Sequence, residues 1–405
     1  MFGGLTFLSL SPSSEAPTPL LALVALLGLP ITLWVYKRKI IYMGYVPTDA
    51  RKQVLTPDII PTGLSCEEVV ISGDRRIQLH GITVWRRSEP KHQQQPKTVL
   101  VYLQGNAGNP LMRLPVFERL LMGPPIPGPS EITPLDLTIL AVAPRSYWKS
   151  TMRTPTEEGL LSDYRHILTY ASKHFPTSSI ILYGHSLGGA ISVCLTAQLR
   201  AEDFPNIRGL ILENPLASIP GMVKALYPQR WLPYHHLGVF AFDRWDAVSA
   251  LQNNAASHTS LAMKLSSSML LFISKNDELV PNVMGESLFE ASQNMVTEQA
   301  AETPLRRKVV LRNSLHENAW KERAWLTEMR SPAYIDLVPA FKQVQGQHPS
   351  KIPGALLTTT NYDDTDGREG APRRTSINAG AQKALLTDFQ SFILAGEVTN
   401  PCFYG

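Results

Sequence analysis

"ILYGHSLGGA", residues 181–190, places Ser186 in a turn between glycines, with Gly184 two positions before it and Gly188 two after. An apolar run leads in and a helical pattern leads out. A buried strand that turns sharply into a helix strains the residue at its apex. It also needs bare positions two residues to either side, so that the helix can pass close to the strand. The apex side chain then stands above the sheet at the positive end of a helix, where a serine can act as a nucleophile if a base takes its proton. A five-residue G-x-S-x-G match also arises by chance in ordinary strand–helix turns. The surroundings have to decide.

Around this turn lie short continuous apolar runs at 97–103, 136–143, 179–184, 208–214, 268–274 and 307–313. Such runs suit strands buried on both faces of a parallel sheet. "EEVVIS" and "RIQLHGITVW" alternate instead and read as a hairpin joined at Ser72-Gly73-Asp74. Helical patterns fall between the strands. The clearest is 154–173, with Thr154 and Glu157 as a capping box and Pro155 at the first helical position. Strand alternating with helix predicts an α/β-hydrolase fold, a mostly parallel central sheet with helices on both faces. Residues 216–265 follow a strand end and predict a helical lid carrying Tyr227, Trp231, Tyr234, Phe240, Phe242 and Trp245.

In this fold the acid and the base follow the nucleophile in chain order, each on a loop past a strand. "LLFISKNDELVP" puts Asp277 there, and "VVLRNSLHENAW" puts His316 past the next strand. His316 would take the Ser186 proton, while Asp277 would hold the imidazole tautomer. Glu278 neighbours Asp277 and Glu213 ends the preceding strand, which leaves the acid open. Oxyanion donors are expected from the N–H of Leu187 and from "YLQGNAGN", at Asn106 or its neighbour Ala107.

Bulk composition narrows the partners. The chain has 405 residues, 44% hydrophobic and 18% charged, with a formal net charge of +4. That charge is too small to argue for nucleic acid, and no basic stripe interleaves with aromatics. Three scattered cysteines, Cys66, Cys194 and Cys402, imply neither a disulfide framework nor a metal site. No cofactor is expected. "PLLALVALLGLPITLWVY", residues 19–36, carries no charge and would span roughly 27 Å as a helix, near the thickness of a hydrocarbon core. Trp34 and Tyr36 sit at its boundary and Lys37-Arg38-Lys39 follow. This predicts a single-pass anchor, with the hydrolase domain on the cytosolic side of the endoplasmic reticulum or another endomembrane. The organisation expected is a tail at 1–18, the anchor at 19–36, a juxtamembrane connector at 37–64 and a hydrolase core at 65–344. A disordered insertion at 345–380 and a closing helix and tail at 381–405 complete it.

"IIYMGYVP", "QGNAGN", "TEEGLLSDYRHIL", "GHSLGGA", "ILENPLASI", "KNDELVP" and "LHENAW" together resemble the membrane-anchored Bem-type serine hydrolases and their animal relatives, the α/β-hydrolase-domain protein 13 group. The resemblance runs from about residue 39 to 320. It implies a Ser–His–Asp hydrolase with Asp277 as acid and His316 as base. Two departures stand out. Gln104 occupies the place of a family histidine, and Arg145-Ser146-Tyr147-Trp148 replaces Arg-Gly-Tyr-Gly, which is expected to fill space near the site. The function expected is cleavage of acyl esters or thioesters of lipids or lipidated proteins. A serine aminopeptidase, with Glu213 meeting the substrate amine, and a decayed membrane scaffold are the alternatives.

Overall fold

In the computed structural model, residues 38–331 are described, except 40, 88–94, 125–134, 296–305 and scattered positions between 227 and 258; Thr359–Thr360 are described as well. The predicted tail, anchor and closing helix lie outside these residues. No helix among the described residues is long and apolar enough to cross a membrane.

Among the described residues the nine strands are β1 (Leu64–Ser72), β2 (Gln78–Arg86), β3 (Thr98–Leu103), β4 (Leu137–Val142), β5 (Ser179–His185), β6 (Ile207–Glu213), β7 (Met269–Ser274), β8 (Arg307–Leu311) and β9 (Thr359–Thr360). They form one sheet in the order β1-β2-β4-β3-β5-β6-β7-β8-β9. The alternating hairpin pairs antiparallel and β2 pairs antiparallel with β4, while every pairing from β4 to β9 is parallel. Every residue of β3, β5 and β7 is buried, which is why those runs lack alternation. Thr359–Thr360 fall inside the stretch expected to be a disordered insertion, yet they pair with Lys308 and Val309 at the sheet edge. The remainder of 345–380 lies outside the described residues.

The helices are α1 (Leu114–Met122), α2 (Glu157–His174), α3 (Leu187–Gln198), α4 (Ile219–Leu226), α5 (Ala247–Asn253), α6 (Leu261–Ser266), α7 (Asn282–Gln293) and α8 (Arg323–Met329). Helix α2 starts later than its capping-box pattern suggested. Thr156, not Thr154, is the N-cap, and its Oγ accepts the Gly159 N–H at 3.0 Å. Glu157 cannot close the box because its carboxylate accepts the Arg244 and Trp245 N–H groups, at 2.6 and 3.0 Å.

The region expected to form a lid divides. Its second half is core: Trp245, Ala247, Leu251, Leu261 and Leu265 are buried, and α5 and α6 pack on α3. Apolar residues four apart, at 247 and 251 and again at 261 and 265, give each short helix one inward stripe. Among the described residues of this region, α4 has no fully buried residue, and its Ile219 and Met222 pack half-buried against the core. Trp231 and Phe242 are exposed, and Tyr227, Tyr234 and Phe240 lie outside the described residues. The three described aromatics, two exposed and one buried, therefore do not form one apolar surface.

Candidate active site

β5 ends at His185 and α3 begins at Leu187, leaving Ser186 alone at the apex with φ 54° and ψ −118°. This is a left-handed value that few non-glycine residues adopt, and it marks stored strain. The strain is held by hydrogen bonds on both sides. Ser186 N–H donates to the Glu213 carbonyl at 2.9 Å, and the Ser186 carbonyl accepts from Gly189 and Leu216 at 3.0 and 3.1 Å. The flanking glycines are required by contact. A Cβ on Gly184 would stand 2.4 Å from the Gly188 carbonyl oxygen, and one on Gly188 would stand 2.0 Å from that of Leu103.

Asp277 lies just past β7 and His316 just past β8. Their side chains, almost wholly buried, meet at 2.8 Å between His316 Nδ1 and Asp277 Oδ2. The other Asp277 oxygen accepts the N–H groups of Leu279 and Val280, at 2.9 and 2.7 Å, which fixes the carboxylate. Glu278 faces the same histidine but accepts its backbone N–H at 3.0 Å. The two acids thus differ in what they hold: Asp277 meets the ring and Glu278 the backbone. Burial lowers the His316 pKa, but the hydrogen bond and charge of Asp277, with Glu317 and Glu278 behind it, outweigh burial and hold the ring above the ordinary histidine value.

The turn after β3 adjoins the apex. A Cβ built on Gly105 would lie 3.6 Å from Ser186 Cβ. The carbonyl of Asn106 accepts two hydrogen bonds, from Met43 N–H at 2.6 Å and Tyr147 Oη at 2.9 Å. Among the described residues, no acceptor meets the N–H groups of Asn106, Ala107 or Leu187. Gln104, in the place of the family histidine, is buried, and neither atom of its side-chain amide has a hydrogen-bond partner among the described residues.

A second polar cluster lies beneath the apex. Arg113 donates to His185 Nδ1 at 2.9 Å and pairs with Glu317 at 2.8 Å. A guanidinium only donates, so His185 Nδ1 accepts and the ring proton sits on Nε2, 3.1 Å from the His316 carbonyl. Burial first, and Arg113 second, push the His185 pKa down to about 3, so this imidazole is neutral. Burial alone would raise the Glu317 pKa, yet Arg113 overrides it and holds the carboxyl at about 2. The same His316 carbonyl accepts Asn214 Nδ2 at 2.9 Å, and Asn214 also binds Ser274 through its amide oxygen and nitrogen. Sequence reading missed Arg113, Asn214 and the bracing role of His185. Their partners lie on other strands and loops, so no local pattern signals them.

Glu213, the carboxylate considered for a substrate amine, is fully enclosed. It accepts Tyr183 Oη at 2.7 Å and Trp325 Nε1 at 2.5 Å, and burial raises its pKa. His185, His316 and Glu317 bring ligand atoms within 4.8 Å of one another, a spacing that suits a metal. Arg113 already donates to two of the three, and its fixed positive charge opposes a cation there. Neither described cysteine is a thiolate: burial pushes Cys66 up to about 12 and raises Cys194 further.

The Ser146-Tyr147-Trp148 stretch reaches the turn after β3 through the Tyr147 hydroxyl. Ser146 and Trp148 have φ values of 65° and 41°, which explains why glycines suit these positions. Trp148 is nonetheless buried against the connector, with Nε1 donating to the Gln53 carbonyl at 2.7 Å. Its ring packs under the chain that enters the domain.

The sequence profile of the serine aminopeptidase S33 family matches residues 149–236, a stretch that contains the Ser186 turn. Protein bem46 of Schizosaccharomyces pombe is 27% identical over 48% of this chain and 59% of its own length. The chain is similar to α/β hydrolases of the Bem46/ABHD type. An uncharacterized membrane protein of Saccharomyces cerevisiae is 26% identical over 51% of the chain and 64% of its own. The lysophosphatidylserine lipase ABHD12 of Bos taurus is 25% identical over 35% of each. The chain therefore aligns with less than two thirds of the length of each of these relatives.

Proposed function

We propose that this Bem46/ABHD-type chain is a membrane-anchored serine hydrolase that cleaves acyl esters or thioesters. The observation that carries the reading is the buried 2.8 Å contact between His316 and Asp277, on loops that follow neighbouring strands in the sheet bearing Ser186. Asp277 accepts the proton on His316 Nδ1, which leaves the Nε2 lone pair as the base. Ser186 Oγ attacks the acyl carbon as His316 takes its proton. The oxyanion meets the N–H groups of Leu187 and the Asn106 turn. Collapse expels the alcohol or thiol, which receives the proton from His316. Water then repeats the sequence on the acyl-serine and releases the acid.

The uncharged stretch at 19–36 supports the anchor, and so does a relative described as a membrane protein. A bilayer-held domain meets lipids or lipidated proteins at high local concentration. The lipase among the relatives supports an acyl-lipid substrate class. The S33 profile favours a peptidase as the second reading. Such an enzyme needs a carboxylate open to the substrate amine, and Glu213 is closed off by Tyr183 and Trp325.

The test is covalent labelling by a fluorophosphonate, followed by turnover of p-nitrophenyl esters of increasing chain length. Wild type labels at Ser186, Ser186→Ala does not, and turnover efficiency rises to about eight carbons or beyond as each buried methylene adds up to ~0.8 kcal/mol. Labelling of Ser186→Ala refutes the nucleophile. Aminoacyl amides cleaved faster than any ester would favour the peptidase.

A further inference from the structure

The connector lies across the turn expected to bind the oxyanion. Met43 N–H and Tyr147 Oη converge on one acceptor, the Asn106 carbonyl, at 2.6 and 2.9 Å. Two residues on, Gly108 N–H donates to the Val46 carbonyl at 2.8 Å. Asn109 Nδ2 donates to the Ala50 carbonyl and to Gln53 Oε1, at 2.7 and 2.8 Å. Thus most residues of the 106–109 turn are tied to the strip 43–53. The strip is in turn fixed to the domain. Tyr42 is buried, and its hydroxyl accepts Trp245 Nε1 at 3.0 Å. Arg51 donates to the Ser146 carbonyl at 2.7 Å, and Trp148 donates to Gln53. Gly44 sits so close that a Cβ there would meet the Tyr147 ring at 2.7 Å.

A peptide group is planar and trans, so its C=O and the following N–H point in opposite directions. Two donors on the Asn106 carbonyl therefore fix the plane of the Asn106–Ala107 peptide and the direction of its N–H. An oxyanion donor has to be aimed before charge develops, because reorientation during the reaction forfeits the stabilisation. We propose that the connector strip 42–53, together with Tyr147, is a working part of the oxyanion hole: it clamps the Asn106 peptide in its productive orientation. Tyr147 and the Met43 backbone are positioning groups and touch no substrate. The left-handed Ser146 and Trp148 belong to the same device, since they turn the Tyr147 loop toward the strip. The chain segment that leads out of the apolar stretch thereby holds the site in shape, and catalysis requires it to be docked.

This inference rests on the serine-hydrolase reading, and the experiment separates the two. Tyr147→Phe removes one donor and keeps the ring. Ser172→Ala is the control: it removes a side-chain hydrogen bond to Asn206 Oδ1, on α2 and outside both the strip and the turn. Each is compared with wild type for ester kcat and KM, melting temperature, and inhibition by a trifluoromethyl ketone, which gives a tetrahedral oxyanion on serine. Loss of an oxyanion donor outright costs about 10²–10³ in kcat. Loosening one is expected to cost roughly tenfold in kcat with KM unchanged, and to raise the ketone's inhibition constant by a similar factor. Ser172→Ala is expected to match wild-type kcat and ketone inhibition. Wild-type kcat in Tyr147→Phe, or a loss that tracks melting temperature alone, overturns the clamp and leaves the hydrolase intact. A wild type that neither labels with fluorophosphonate nor turns over esters overturns the hydrolase reading and the clamp with it.

Discussion

Trp148→Gly restores the residue that the family pattern favours, yet the structure predicts that it harms the protein. Two effects oppose each other. At φ 41°, glycine relieves left-handed strain of about 1–2 kcal/mol. Against this, the indole is 1% exposed, and truncating such a tryptophan leaves a cavity that costs about 3–5 kcal/mol. Losing the Nε1–H bond to Gln53 adds about 1 kcal/mol. The net is a loss of roughly 2–5 kcal/mol. For a domain of this size that corresponds to a fall of about 5–15 °C in melting temperature, readable by thermal unfolding. Because the ring packs on the connector, the variant should not widen the range of acyl chains accepted. A melting temperature at or above wild type would show that strain dominates packing at this position. A selective gain on long-chain esters would return Trp148 to the substrate pocket.

Other predictions concern the proton-transfer groups and their supports. His316 acts only when neutral and its pKa is raised, so kcat/KM should climb with pH through a midpoint above ~6.5; Asp277→Asn should lower that midpoint and cut kcat by orders of magnitude, as a pH–rate profile would show. A midpoint unmoved by Asp277→Asn would count against the pairing. Arg113→Ala leaves His185 Nδ1 without its donor and uncovers Glu317, so denaturant titration should show a loss of about 1–3 kcal/mol, limited by the partial exposure of Glu317. His185 also makes the fold acid-sensitive. Its pKa of about 3 lies below the unfolded value, so the unfolded chain binds the extra proton between about pH 6.5 and 3, and stability should drop as pH falls through that window. A flat stability profile there would show that His185 is protonated in the fold.

The parallel strands were legible because burial on both faces erases alternation, and 97–103, 179–184 and 268–274 become uninterrupted apolar runs. The nucleophile turn was legible for a harder reason. The 2.0 Å clearance at Gly188 admits no side chain, so the chemistry of the site is written into local composition. Asp277 and His316 could be placed from strand ends and chain order. What stayed hidden was whatever depends on contacts between distant segments. Arg113 reads as an ordinary basic residue at the start of an amphipathic helix, and its two partners lie at 185 and 317. The extent of the lid was hidden for the same reason. Aromatic content between 227 and 245 is compatible with a cover or a core, and only packing shows that Trp245 is core.

The departures at Gln104 and at residues 146–148 looked like signs of a damaged site, and the geometry gives them different meanings. Ser146 and Trp148 occupy backbone angles that glycine would take more easily, but their side-chain polar groups are bonded. Ser146 Oγ donates to the Arg153 carbonyl at 2.6 Å and accepts its N–H at 3.1 Å, while Trp148 reaches Gln53. Strain that is matched by bonds on both sides is maintained because it positions something, and here it positions Tyr147 on the oxyanion turn. Gln104 is the opposite case, a buried amide whose nitrogen and oxygen have no partner among the described residues. It stands at the end of β3, where the register sets Leu103 beside Gly184, one step below the nucleophile turn. An unmet amide costs about 1–3 kcal/mol in an apolar setting, and a bound water or a polar substrate group would relieve that cost. The loop that breaks the family pattern at 146–148 is therefore fully committed to the fold, whereas Gln104 is the departure whose hydrogen-bonding capacity is still open beside the nucleophile turn.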